Sequence, residues 1–146
     1  MVNLLLGFCI MLISLLMQAI LFVVVIRFYM RRRGLVDSTS FISSLSVVAG
    51  VLLLLVAGAL IQIGIWASMF CVLGEFSEFT EAFYHSAVNF STLGYGDFVM
   101  SDKHKLLGPL EAVNGVLMIG VSTSALTLSF QDIIKKSLVK KHSHNE

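Results

Sequence analysis

Charge is what this sequence lacks most. Only 13% of its 146 residues are Asp, Glu, Lys or Arg, against 57% apolar. Soluble domains usually carry about 25% charged and about 45–50% apolar residues. That imbalance excludes a soluble enzyme, a disordered chain and a nucleic-acid binder. One proline and eleven glycines exclude collagen-like and proline-rich linker designs. Two cysteines, Cys9 and Cys71, are too few for a disulfide scaffold and lack metal-site spacing. Cys71 reads either as a buried thiol or as a partner for another subunit. There is no Ser-His-Asp set, phosphate-binding glycine loop or metal-spaced carboxylate group, so catalysis and an organic cofactor have no support.

What is present is long stretches without charge. Met1–Ile26, Ser38–Gly74 and Ala112–Gln131 are uncharged over 26, 37 and 20 residues. A helix needs roughly 20 apolar residues to cross about 30 Å of hydrocarbon. Three spans are therefore predicted, in an all-α membrane protein. The first run is not a signal peptide: it has no basic n-region, is too long and has no small-residue cleavage site. A fourth uncharged run, Ala82–Gly96, has 15 residues. That is too short to span, so it reads as re-entrant.

The basic residues set the orientation. Arg27, Arg31, Arg32, Arg33, Lys135, Lys136, Lys140 and Lys141 are eight of the ten, flanking the first and third spans. The positive-inside rule puts them in the cytoplasm and the N-terminus outside, in the cell (plasma or inner) membrane. The predicted organisation is an extra N-terminal helix over 1–30, a cytoplasmic loop over 31–40 and a cytoplasmic tail over 133–146. Between loop and tail lie an outer helix over 41–73, a pore helix over 79–89, a loop over 92–97 and an inner helix over 110–131. The outward segment from 75 to 111 carries Glu75, Glu78, Glu81, Asp97, Asp102 and Glu111 against Lys103 and Lys105, an anionic surface that attracts cations. The tail lysines are numerous enough to attract anionic lipid, or else simply set topology. His142 and His144 read as solvated.

Ser77-Glu78-Phe79-Thr80-Glu81 has the character of a helix start, with a hydroxyl cap candidate and carboxylates in the first turn. A helix from there to about Asn89 covers roughly 16 Å, half a bilayer. Thr92-Leu93-Gly94-Tyr95-Gly96-Asp97 follows at once, and the chain must then return outward to Lys103.

That hexapeptide, in that setting, resembles the selectivity filter of the potassium-channel family. The resemblance covers about residues 41–132. It implies a homotetramer around a central pore, conducting K⁺ passively. Carbonyl oxygens of Thr92, Leu93, Gly94 and Tyr95, with the Thr92 hydroxyl, would hold the ion in place of its water. Gly94 and Gly96 would supply the positive φ that lets successive carbonyls face one axis. Tyr95 would turn away and brace the strand on the pore helix. The family often has a bending glycine where Gly120 stands, although a small residue there also suits close helix packing. At the family's spacing Val121, Ser124, Leu128 and Asp132 would face the pore. Leu128 would be the narrow ring and Asp132 the cytoplasmic mouth.

The sequence departs from the best-known two-helix members. Val88 stands where many have a glutamate paired with the aspartate after the filter. Tyr84 and His85 replace a tryptophan pair, and no proline follows in Phe98-Val99-Met100-Ser101. Two readings of His85 stand: a bond to Asp97 that external acid would strengthen, or satisfaction by a neighbour such as Tyr84. The first span lacks an arginine ladder and is no voltage sensor; it is expected to pack on the outer helix. The competing functional readings are a non-conducting membrane adaptor and a transporter with channel-like loops. The latter usually carries four loops per chain, not one.

Overall fold

The computed structural model describes residues 2–36 and 41–143, with side chains described for 5–32, 42–131 and 135. Among the described residues four helices carry the fold: α1 (Val2–Val36), α2 (Phe41–Val72), α3 (Phe79–Phe90) and α4 (Leu107–Ser143). Leu5–Arg32, Ile42–Val72 and Leu107–Gln131 are long and apolar enough to cross a membrane. The protein is an all-α membrane protein with three such helices and one short helix between the second and third.

Two helices overrun their sequence-based limits. α1 passes through Arg31–Arg33 to Val36, and α4 runs on through the lysines to Ser143. The reason is local: arginine and lysine are good helix formers, and no proline or glycine follows Gly120. The polar end segments are therefore helical extensions where a loop and a tail were expected. α4 also starts three residues early, at Leu107. Pro109 sits in its first turn, where a missing N–H breaks no intrahelical bond.

α2 runs antiparallel to both α1 and α4, while α1 and α4 run parallel. Leu21 packs at Gly58 and Phe28 at Gly50 on α2; Leu107 and Leu110 of α4 pack at Gly7. Gln18 Nε2 donates to the Leu117 carbonyl at 2.9 Å. Tyr29 Oη approaches the Ser129 carbonyl at 3.5 Å. The extra helix thus lies on the inner helix as well as the outer one, a correction to the sequence-based placement. Hydropathy could not choose between two apolar partners.

Apolar packing divides by depth. Near the start of α4, Trp66, Ala67, Met69, Phe70, Phe76, Ala82 and Leu107 form one cluster. At the other end Val25, Tyr29, Val47, Val51, Leu55 and Ala125 form another. Apolar side chains also cover the outside: Leu16 and Ile20 on α1 and Leu53 on α2 are more than 60% exposed, as a lipid-facing surface requires. α3 begins beside the first cluster, and its last residue, Phe90, packs with Ile63 and Met118. Met118 is eleven residues into α4, so α3 ends about 16 Å below that helix's start.

Candidate ion pore

α3 starts at Phe79 with Glu78 as N-cap and no side-chain cap bond, so the expected hydroxyl cap at Ser77 is not used. Its other end leads into the Thr92–Asp97 loop. The Ser91 N–H donates to the Ala87 carbonyl at 3.0 Å and the Thr92 N–H to Asn89 at 2.9 Å. The Leu93 and Gly94 N–H groups both turn back to the Val88 carbonyl, at 2.9 and 3.4 Å. Val88 therefore supports the loop through its backbone. Thr92, Gly94 and Gly96 have φ of 62°, 61° and 73°, so left-handed residues alternate with Leu93 and Tyr95. The sequence reading assigned positive φ to the two glycines only. For the β-branched Thr92 it is strained by about 1–3 kcal/mol, and the helix-end bonds hold it there. Thr92 to Gly96 are all exposed in the single chain. Tyr95 is 67% exposed, so it does not brace on its own pore helix as expected.

The brace is one residue pair over. Tyr84 Oη donates to Asp97 Oδ2 at 2.7 Å, and the Phe98 N–H donates to Asp97 Oδ1 at 3.1 Å. The Tyr84 hydroxyl holds the Asp97 carboxyl below the usual carboxylate range. His85 does not bond Asp97. Its Nδ1 meets the Phe98 carbonyl at 2.7 Å and its Nε2 meets Asn89 Nδ2 at 2.8 Å. A carbonyl only accepts and an amide NH₂ only donates, so the imidazole carries its hydrogen on Nδ1. His85 is turned inward against the rings of Phe76 and Phe70, with centroids 4.9 and 5.5 Å away. One helical residue is a 100° turn, which leaves Tyr84 outward and His85 buried.

A second clasp ties the far side of the loop to the end of α2. Glu75 accepts from the Ser101 N–H and Ser101 Oγ, both at 2.6 Å, and pairs with His104 Nδ1. Burial raises the Glu75 pKa, but the bonds from Ser101 and His104 outweigh it and bring it down to about 2. The sequence reading had counted Glu75 only as loop charge.

It also counted Glu111 there, and the fold corrects this: Glu111 is fully buried, together with Ser86, Gln62 and Asn114. Asn114 Nδ2 donates to Gln62 Oε1 at 3.1 Å, Ser86 Oγ reaches the Ile63 carbonyl at 3.0 Å, and Glu111 Oε1 meets Ser86 Oγ. These bonds join α2, α3 and α4 behind the loop. Gly115 lies against the last turn of α3; a Cβ there would stand 2.7 Å from the Phe90 carbonyl carbon. The available signal was polar residues inside apolar helices, which are costly and so seldom idle.

The inner-helix candidates Gly120, Val121, Ser124 and Leu128 lie on the side of α4 next to α1, in two grooves at different depths. Gly120 is open, with nothing within 4 Å of its Cβ direction. Val121 and Ser124 line a groove of about 700 Å³ with Leu15, Gln18, Ala19 and Phe22 of α1. Leu128 lines a second groove with Tyr29 and Met30. Ser124 Oγ donates to the Gly120 carbonyl at 2.9 Å. The Asp132 side chain lies outside the described residues, as do those of Lys136, Lys140, Lys141, His142 and His144. Cys9 and Cys71 are free thiols.

A short helix ending part-way along the spans, a loop of alternating handedness and two flanking spans together define a pore-loop membrane protein. The ion channel family model matches residues 50–132, more than half of the chain and all of the loop, and this chain belongs to that ion channel family. α1 lies outside the match. No curated protein and no solved structure matches the chain.

Proposed function

We propose that four copies of this chain form a potassium-selective channel that conducts passively through a carbonyl-lined filter. The observation that carries this reading is the alternation of backbone handedness over Thr92–Gly96. Alternation turns successive carbonyls to one side, and four such strands around an axis replace the water shell of K⁺. The ion is the cargo, held by the carbonyls of Thr92, Leu93, Gly94 and Tyr95. One loop per chain requires four copies. Each α3 points its C-terminal end, the negative end of its dipole, toward the axis, which favours a cation. An exposed α4 face runs through Val116, Gly120, Thr123 and Thr127, with Val116 and Gly120 bordering the groove beside α1. We assign that face to the axis, with Ser124 at its edge. The N-terminus is outside and the basic ends are cytoplasmic, where the lysines of α4 meet anionic lipid.

The test is the reversal potential across a K⁺/Na⁺ gradient in proteoliposomes. The wild type should reverse near the K⁺ potential, and Gly94→Ala or Gly96→Ala should abolish that preference, because a Cβ disfavours positive φ. Silent wild-type protein would favour the adaptor reading. Unchanged permeability in both variants would remove the filter assignment.

A further inference from the structure

Ser86 has one hydroxyl hydrogen and two acceptors competing for it. Its Oγ lies 3.0 Å from the Ile63 carbonyl and also in contact with Glu111 Oε1. A backbone carbonyl cannot donate, so both contacts are hydrogen bonds only when the Ser86 hydrogen goes to Ile63. The contact between Ser86 Oγ and Glu111 Oε1 then needs a hydrogen from the carboxyl group. Both residues are 0% exposed. No lysine, arginine or histidine forms an ion pair with Glu111 among the described residues. Its second oxygen, Oε2, has no partner at ordinary hydrogen-bond distance, and the neutral Asn89 amide is the other polar side chain beside the group. An ionised carboxylate in that setting would leave a buried charge uncompensated, at a cost of several kcal/mol. A neutral acid leaves only one unpaired carbonyl-type oxygen.

The same carboxyl stands at the head of a chain of contacts leading to the filter. The Asn89 side chain lies against it, Asn89 Nδ2 donates to His85 Nε2 at 2.8 Å, and His85 Nδ1 donates to the Phe98 carbonyl at 2.7 Å. Phe98 is two residues past Gly96. Four residues on from Glu111, Gly115 presses on the last residue of α3. α4 is thereby linked to both ends of the loop segment.

We propose that Glu111 is a neutral carboxylic acid that donates to Ser86 and serves as the positioning residue tying the inner helix to the pore helix. It touches no ion. It sets where the filter stands when α4 moves. This deepens the channel reading and rests on it for the functional arm alone.

The experiment uses the full chain in proteoliposomes and has two arms. In the infrared arm, the wild type should show a protonated-carboxyl C=O band that Glu111→Gln removes and Glu78→Gln leaves in place. In the electrical arm, Glu111→Gln, whose amide can still donate to Ser86, should keep open probability within about threefold of wild type. Ser86→Ala and Glu111→Ala should lower it roughly tenfold, the population change expected from losing one buried hydrogen bond. A wild-type spectrum lacking the Glu111 band would overturn the proposal. So would normal gating in both Ser86→Ala and Glu111→Ala, or loss of gating in Glu111→Gln equal to that in Glu111→Ala. A wild type that carries no K⁺ would sink the channel reading, and the infrared band would then decide the proton on Glu111 by itself.

Discussion

Gly115→Ala tests how closely the inner helix and the pore helix are matched. A Cβ on Gly115 would stand 2.7 Å from the Phe90 carbonyl carbon and 3.1 Å from its Cα. Carbon atoms prefer about 3.5–4.0 Å, and the Phe90 carbonyl oxygen is nearer still, so one helix must retreat by at least about 1 Å. The obstacle is backbone, not the end of a flexible side chain, which places the cost near the upper end of the 1–3 kcal/mol range for overpacking. Alanine returns about 1 kcal/mol of helix propensity. The net expectation is a loss of about 2 kcal/mol. Gly64→Ala is the matched control on α2, because the nearest atom to its Cβ would be Phe83 Cε2 at 4.0 Å. That variant should gain up to about 1 kcal/mol, so the two should differ by about 3 kcal/mol. Denaturant unfolding of the purified protein in detergent measures this, and K⁺ flux measures the functional side. Phe90 is two residues before Thr92, so a 1 Å retreat also displaces the filter, and Gly115→Ala should lose flux while Gly64→Ala keeps it. Gly115→Ala as stable and as conductive as Gly64→Ala would refute the close-contact argument.

Three further outcomes follow from the same geometry. Tyr84→Phe removes the hydroxyl that holds the Asp97 carboxyl below its usual range, so block by external acid should begin at a higher pH than in wild type, read as conductance against pH. Glu75 is brought from 4.5 to about 2 in the folded protein; its contribution is full above pH 4.5 and lost as pH falls toward 2. At about 1.36 kcal/mol per unit that sets a ceiling between about 3 and 4 kcal/mol. Unfolding measured between those limits should show the slope in wild type, and Glu75→Gln should flatten it. With Cys9 and Cys71 replaced by serine, Asp102→Cys should react with an impermeant thiol reagent from outside and Arg31→Cys should not; the reverse pattern would invert the pore loop.

The membrane class, the number of candidate spans and the position of the re-entrant loop were legible in the sequence. They rest on local quantities: run length without charge, a 15-residue run too short to span, and two glycines spaced for positive φ. The partners of Asp97 and His85 were not legible. Which of two neighbouring residues faces the loop depends on a 100° rotation about α3, and packing of His85 against Phe70 and Phe76 fixed that rotation. Glu111 read as loop charge because it borders an uncharged run. Only the docking of α3 against α4 shows that it is buried on Ser86. The placement of α1 on both α2 and α4 likewise needed tertiary structure, since hydropathy marks a helix as lipid-compatible without choosing its neighbour. Sequence thus determined which segments cross and where the backbone must alternate, because those depend on length, charge and glycine. Tertiary structure decided which polar side chains meet behind the loop, because that depends on helix rotation and depth, which periodicity leaves free in helices that are apolar on nearly every side.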